Sequence, residues 1–341
     1  MASIASAERM AQQRFRFDSR PIISQADVAM MFPGEAFAIL AALFFAGSGV
    51  AVAKGAGHGG GDHGALLSII LTAGLAAVFW LPTASADRLP GTGEAFYAGV
   101  AWFALSGLLT VFLGRTLLYQ SIAHLGAIRA STLLRLNPLF SVLLAALILG
   151  EAISIIAGAG MFLIALSFVL LLRRSLAAFG RDRTGAQPGM SGRQAASSSL
   201  HYAFGPASAF AYALGNVVRK HALAIIPDSN LGTLISAVAG LISFAVAALF
   251  IARYRSAFLG VFSNATRWQL AAGLLASAGQ LSQFAAIQHI EVSRAVMISS
   301  TEIFFSMFLA VYVLKTERRP DALTLAAAMT AMAGVVLVAA G

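Results

Sequence analysis

The chain has 341 residues, of which 59% are apolar and 11% charged, with a formal net charge of +9 and no cysteine. An ordinary soluble domain carries about 25% charged residues, so this composition excludes a water-facing globular protein and makes lipid the solvent. The missing cysteines exclude disulfides, thiolate metal sites and a thiol nucleophile.

Residues 1–34 carry Arg9, Arg14, Arg16 and Arg20 and lack the apolar core and cleavage site of a secretory signal. They read as an uncleaved leader, interfacial or poorly ordered. Apolar stretches of roughly 17 to 25 residues then follow, the length of a helix crossing about 30 Å of hydrocarbon. Ten can be marked: Glu35 to Ala53, Ala65 to Leu81, Phe96 to Tyr119, Ala127 to Leu149, Ile155 to Leu172, Tyr202 to Leu223, Leu231 to Ala252, Trp268 to Gln288, Ser293 to Leu314 and Ala322 to Ala340. They are continuously apolar, which favours helices over the alternating strands of a barrel. Between the first two spans, His58, Asp62 and His63 sit on a Gly-rich connector that lacks the preorganisation of a metal site. No metal or other cofactor is expected.

Laying residue 114 over residue 279, an offset of 165, aligns spans 3 and 4 with spans 8 and 9. Ten of 36 ungapped positions coincide, among them Gly114 with Gly279, His124 with His289 and Arg129 with Arg294. Each copy holds five spans, an odd number, so the second must enter from the opposite face. The expected fold is therefore all-α and integral to the membrane, with ten transmembrane helices as two inverted five-helix repeats. The first repeat occupies residues 35–172, a flexible linker 173–201 and the second repeat 202–341. Inverted repeats are a common build of alternating-access carriers.

Ala42 to Lys54 in span 1 and Ala211 to Leu223 in span 6, with Asn137-Pro138, Leu149-Gly150-Glu151 and the glycines Gly158 and Gly160, resemble the EamA-type repeat of the drug/metabolite transporter superfamily. The resemblance covers roughly residues 36 to 340. It implies a central cavity lined largely by spans 1, 3, 4, 6, 8 and 9 and the movement of small metabolites or amphipathic compounds, with export frequent among bacterial members. It also implies that both chain ends are cytoplasmic. Two departures stand out: Phe45-Ala46 replaces the tryptophan common before the glycine of span 1, and Ile303 stands where the sister span has Pro138. The second leaves open whether both halves bend alike.

Ionisable groups inside a span are costly unless they face a cavity or a partner. Arg115 in span 3, Arg135 in span 4 and Glu302 near the middle of span 9 stand out on that ground. Helical spacing groups Arg115 with Tyr119, Gln280 with Gln283, and Ser208 with Tyr212 and Asn216 as polar stripes. With Asn137, the repeat counterpart of Glu302, these residues form the candidate substrate site: Arg115, Tyr119, Arg135, Asn137, Tyr212, Asn216, Gln280, Gln283 and Glu302. Guanidinium forks suit carboxylate or phosphate and a carboxylate suits an amine, so the expected cargo is a small zwitterionic or anionic metabolite, amino acids first. Arg135 and Glu302 have a second reading as a structural ion pair, and Glu302 a third as carrier of a coupling proton. Glu151 and Glu317, before spans 5 and 10, read as helix caps, and Arg129 and Arg294 as interfacial anchors. Glycines Gly47, Gly49, Gly107, Gly158 and Gly160 read as close-packing positions.

The basic residues flanking the spans number eight on the side of the N-terminus, Arg219, Lys220 and Arg294 among them, and thirteen on the other. That bias alone would put the second side in the cytoplasm, against the orientation the resemblance implies, which is kept. The expected partners are a small-molecule metabolite, the lipid bilayer and a coupling proton or exchange substrate, not nucleic acid, with the protein a monomer or homodimer. A gradient-driven carrier is favoured over a membrane enzyme, for which no clustered catalytic set occurs, and no nucleotide-binding loop is present. A drug exporter and a non-transporting sensor or scaffold stay as alternatives.

Overall fold

The computed structural model describes residues 33–55, 61–83, 93–125, 133–134, 136–183, 192–263, 265–309, 312 and 322–340. The leader expected at residues 1–34 falls almost wholly outside them, and Arg129, Arg135, His58 and Glu317 are also outside. In lipid a helix is the segment that satisfies its own backbone, and among the described residues every regular element is helical, with no strand.

In chain order the helices are α1 (Pro33–Gly55), α2 (Gly61–Trp80), α3 (Glu94–Gly107), α4 (Arg115–Leu125), α5 (Asn137–Leu144), α6 (Ile155–Arg183), α7 (Gly192–Ile225), α8 (Ser229–Phe250), α9 (Ala252–Gly260), α10 (Arg267–His289), α11 (Val292–Ser299), α12 (Glu302–Phe308) and α13 (Ala322–Ala340). A π-helical stretch, Leu108–Gly114, joins α3 to α4 in one continuous rod, and another, Ala145–Leu149, extends α5. Five segments are long and apolar enough to cross a membrane: Pro33–Val52, His63–Trp80, Glu94–Ile122, Ser229–Phe250 and Arg267–His289. Shorter apolar helices run over Asn137–Leu149, Ile155–Ser167 and Met329–Val338. Large apolar side chains such as Leu147, Leu249 and Phe250 are exposed, the arrangement expected where lipid covers the surface. The join expected as flexible is helical over residues 173–183 and again from Gly192, as α6 and α7 run into it from both sides.

The halves break alike. In the first, Leu136 N–H donates to Leu133 O at 3.2 Å just before α5, and in the second Thr301 N–H donates to Ile298 O at 3.1 Å just before α12, the same pair shifted by 165. Pro138 removes a backbone donor at the first break. At the second, where Ile303 replaces that proline, two hydroxyls do similar work: Ser300 bonds Met297 O at 2.6 Å and Thr301 bonds Ile298 O at 2.7 Å. Such back-bonding competes with the helix ladder and bends it.

Gly34–Gly341 form one compact unit, because elements of the two halves pack against each other. α6 lies along α13, α2 along α10 and α8, and α3 along α7 and α8. Two crossings bring backbones into contact. A methyl added at Gly107 would lie 2.1 Å from Ser236 O, and one at Gly160 would lie 2.5 Å from Gly334 O. Close approach of this kind is what small residues provide between helices in lipid. Gly49 has nothing within 4 Å and Gly158 only an ordinary contact at 3.6 Å, so these two do not serve close packing. Gly107→Val is therefore expected to cost at least ~3 kcal/mol, since rigid backbone cannot yield as a side chain can. Size-exclusion profiles of detergent-extracted protein should show loss of the folded peak for Gly107→Val and an unchanged profile for Gly49→Ala.

Candidate functional site

The centre of the polar cluster is Arg115. As the first residue of α4 it follows the π-helical stretch, whose wider turns advance the helix register and re-aim the side chains that follow. Arg115 is 5% exposed, and its guanidinium donates from Nη1 to Ser68 Oγ and to Thr72 Oγ1 on α2, each at 3.2 Å. Thr72 and Ser277 on α10 share a hydrogen bond at 3.0 Å, and Ser277 continues to Gly273 O at 2.6 Å. The Arg115 side chain also reaches the Tyr212 phenol on α7, while Tyr119 and Glu302 lie within electrostatic range of that same phenol. Tyr119 in turn approaches Ser68. Arg115, Tyr119, Tyr212 and Glu302, from three spans and both halves, are thus near one another.

Glu302 is not near the middle of a continuous helix. It opens α12 immediately after the Ser300–Thr301 break, and its counterpart Asn137 opens α5. A carboxylate there meets free backbone N–H groups and the positive end of the helix dipole. Asn137 takes a bond within its own helix, its Oδ1 accepting from Ser141 Oγ at 3.1 Å. Arg135 lies outside the described residues.

The α10 stripe faces a second polar group. Gln283 is buried and its Oε1 accepts from Ser299 Oγ at 2.6 Å, and that hydroxyl also lies 3.2 Å from Ala38 O on α1. Gln280 is 5% exposed and its Nε2 has no hydrogen-bond partner. Asn216 is buried on α7, and Ser208, first of the same stripe, bonds Gly114 O at 2.7 Å.

Ser68, Thr72 and Arg219 escaped the sequence reading. The two hydroxyls sit four apart in an apolar span and each bonds a carbonyl of its own helix, Ala65 O at 2.8 Å and Ser68 O at 2.7 Å. In sequence they look self-satisfied. Arg219 was counted among the basic residues flanking the spans, but it is 1% exposed. Its place was legible: it continues the Ser208, Tyr212, Asn216 stripe by three residues. Its Nη2 donates to Thr110 Oγ1 at 3.4 Å and its Cζ lies 3.7 Å from the centroid of the Phe284 ring.

A separate cluster gathers around the start of α11. Gly150, at φ 67, ends the Ala145–Leu149 stretch and turns the chain. Glu151 then caps a helix other than the one it precedes: its carboxylate accepts from Val292 N at 2.7 Å, Ser293 N at 3.1 Å and Ser293 Oγ at 2.6 Å, at the start of α11 in the other half. α6, the helix after Glu151, has Ser154 Oγ accepting from Ala157 N at 3.0 Å instead. Lys220 Nζ donates to Ile287 O and Ile290 O at 2.8 Å each, with Glu151 and Glu291 in electrostatic range. Arg294, expected as an interfacial anchor, turns inward to pair with Glu35 at 3.4 Å. Glu35 belongs to α1 and Glu151 to the first half, so both contacts tie the halves together.

The sequence profile of the EamA-like transporter family matches residues 32–173 and again residues 200–340. One solved structure, a crystal structure of a protein, superposes with a TM-score of 0.61 at 15% identity, covering 89% of this chain and 95% of that one. At that identity the likeness shows a shared fold alone. No curated protein matches the sequence. With two matched copies of the profile, described residues that are helical and apolar, and repeats that break in the same register, the chain belongs to the EamA-like transporter family and is a multi-pass membrane protein.

Proposed function

We propose that this protein is a secondary carrier of a small zwitterionic or anionic metabolite, amino acids first, exporting it across a bacterial inner membrane by alternating access. The observation that carries the reading is the Arg115 cluster, where a buried guanidinium held by Ser68 and Thr72 meets the Tyr212 phenol of the other half with Glu302 close by. A site shared between halves is exposed to one side or the other as the halves rock. The proposal includes ten spans, repeats at residues 35–172 and 202–341 joined by 173–201, and both termini in the cytoplasm. Arg115, Tyr119, Tyr212 and Glu302 contact cargo first, with Asn216, Gln280 and Gln283 extending the site along α7 and α10 and Arg135 and Asn137 approaching from span 4. Glu302, at a helix start between cationic and phenolic neighbours, takes the cargo amine or a coupling proton.

The test is mass spectrometry of metabolites in medium and cell extract for cells expressing wild type, Arg115→Gln at matched abundance, or empty vector. Export predicts loss inside with matching gain outside, reversed in the variant. No movement of any endogenous compound would overturn the reading and favour drugs, absent nutrients or a role without transport. Movement of cationic or uncharged compounds alone would overturn the proposed cargo class.

A further inference from the structure

We propose that Arg219 and Gln280 form an anion subsite, one step beyond the Arg115 cluster, that takes the carboxylate or phosphoryl group of the cargo. This rests on the carrier reading above and assigns to it the residues that read charge.

Two buried N–H donors lie on facing helices with nothing to bond. Arg219 Nε on α7 and Gln280 Nε2 on α10 both lack a hydrogen-bond partner, although their residues are only 1% and 5% exposed. Orphaned buried donors are rare in folded proteins, and each costs about 1–3 kcal/mol. Among the described residues, the remaining contacts of Arg219 contain no carboxylate: one 3.4 Å bond to Thr110 Oγ1, the face of Phe284, and the Tyr212 phenol in electrostatic range. A ring face offers a buried cation partial compensation, but it leaves the in-plane N–H of the guanidinium free.

The spacing puts Gln280 on the face of α10 that Arg219 meets. Gln280 is one helical turn before Phe284 on α10, so both lie on the face over which Arg219 is stacked. Both orphaned atoms are donors, so a matching ligand supplies acceptors, and a guanidinium edge with an adjacent amide N–H suits the two oxygens of a carboxylate or phosphoryl group. The Phe284 ring covers the guanidinium carbon at 3.7 Å, and Nε stays available to a ligand. Tyr212, in electrostatic range of both Arg115 and Arg219, links the subsite to the central cluster. A zwitterion would then lie with its anionic end toward Arg219 and its amine toward Glu302.

The test uses the full chain in lipid nanodiscs. Thermal unfolding is followed by intrinsic fluorescence in sodium acetate or sodium phosphate, against sodium chloride at equal ionic strength and pH. The subsite predicts a rise in midpoint of about 2 °C or more with acetate, phosphate or both, according to which group it takes. Arg219→Gln and Gln280→Leu should each lose the rise, and Arg219→Lys should keep part of it, since an ammonium retains charge without the fork. If Arg219→Gln does not fold, Gln280→Leu and Arg219→Lys carry the comparison. A rise that persists in these variants, or no rise in wild type with either anion, overturns the subsite. The same variants in the metabolite experiment separate the two claims. Wild-type movement of compounds with equal movement in Arg219→Gln and Gln280→Leu sinks the subsite and leaves the carrier standing. An anion-dependent midpoint without movement of any compound sinks the carrier reading and leaves a binding site.

Discussion

Arg115→Gln is expected to lower transport by about 100-fold at matched protein level, because truncating one partner of a desolvated charge-assisted contact costs about 2–5 kcal/mol. The side chain is buried, donates to two hydroxyls on α2 and reaches the Tyr212 phenol across the repeat boundary. Glutamine preserves an amide donor and most of the volume, so Ser68 and Thr72 keep their own-helix bonds and the fold should survive. What disappears is the charge and the planar fork that can face hydroxyls on one edge and cargo on another. Arg115→Lys should fall between, with a loss of about tenfold, since it restores the charge without the bidentate geometry. Initial rates of cargo counterflow in proteoliposomes would read the series. Equal rates for all three proteins would remove Arg115 from the site.

The second large effect is expected where Glu151 meets α11. Glu151→Gln should unlatch α11 from the connection before α6, because one carboxylate there accepts from two backbone N–H groups and a hydroxyl of the other half. Charge-assisted bonds of this kind contribute about 1.5–3 kcal/mol each, and glutamine keeps only a neutral acceptor, so a net loss of about 2 kcal/mol is expected. That shifts an open–closed equilibrium by about 30-fold. The chain contains no cysteine, so a single Val296→Cys, at a position 3% exposed behind the latch, reports opening directly. Maleimide labelling should be tens of times faster in the Glu151→Gln background, and transport slower, since a carrier that cannot close one end cannot complete its cycle. Unchanged labelling would show that Lys220 and the Glu35–Arg294 pair hold that end without Glu151. Arg294→Met should produce a smaller change in the same assay, as its 3.4 Å pair with Glu35 is partly exposed.

The role of Glu151 illustrates where sequence reasoning stops. A carboxylate beside a helix start was legible as a cap, and it is one. Which helix it caps depended on the left-handed turn at Gly150 and on the proximity of α11, neither of which a one-dimensional pattern contains. Arg219 shows the converse. Its spacing from Ser208, Tyr212 and Asn216 marked it as a member of the buried stripe, but its neighbour Lys220 and its distance from the span centre made it look interfacial. The second break was hidden for another reason: without proline, two ordinary hydroxyls end the helix, and serine and threonine in apolar spans more often bond back without breaking it.

Composition, apolar run length and the recurrence of Gly, His and Arg at one offset determined by themselves that this chain is helical, lies in lipid and is built twice, because hydrocarbon leaves the backbone few alternatives and a repeat is a property of the string. The tertiary structure alone decided which polar stripes meet. It set Arg115 against α2 through a π-helical turn, set Arg219 over Phe284, and bonded carboxylates of one half to the other. Those pairings depend on helix rotation and on contacts between residues 43 to 259 apart, where a shift of one residue in register turns a buried side chain toward lipid.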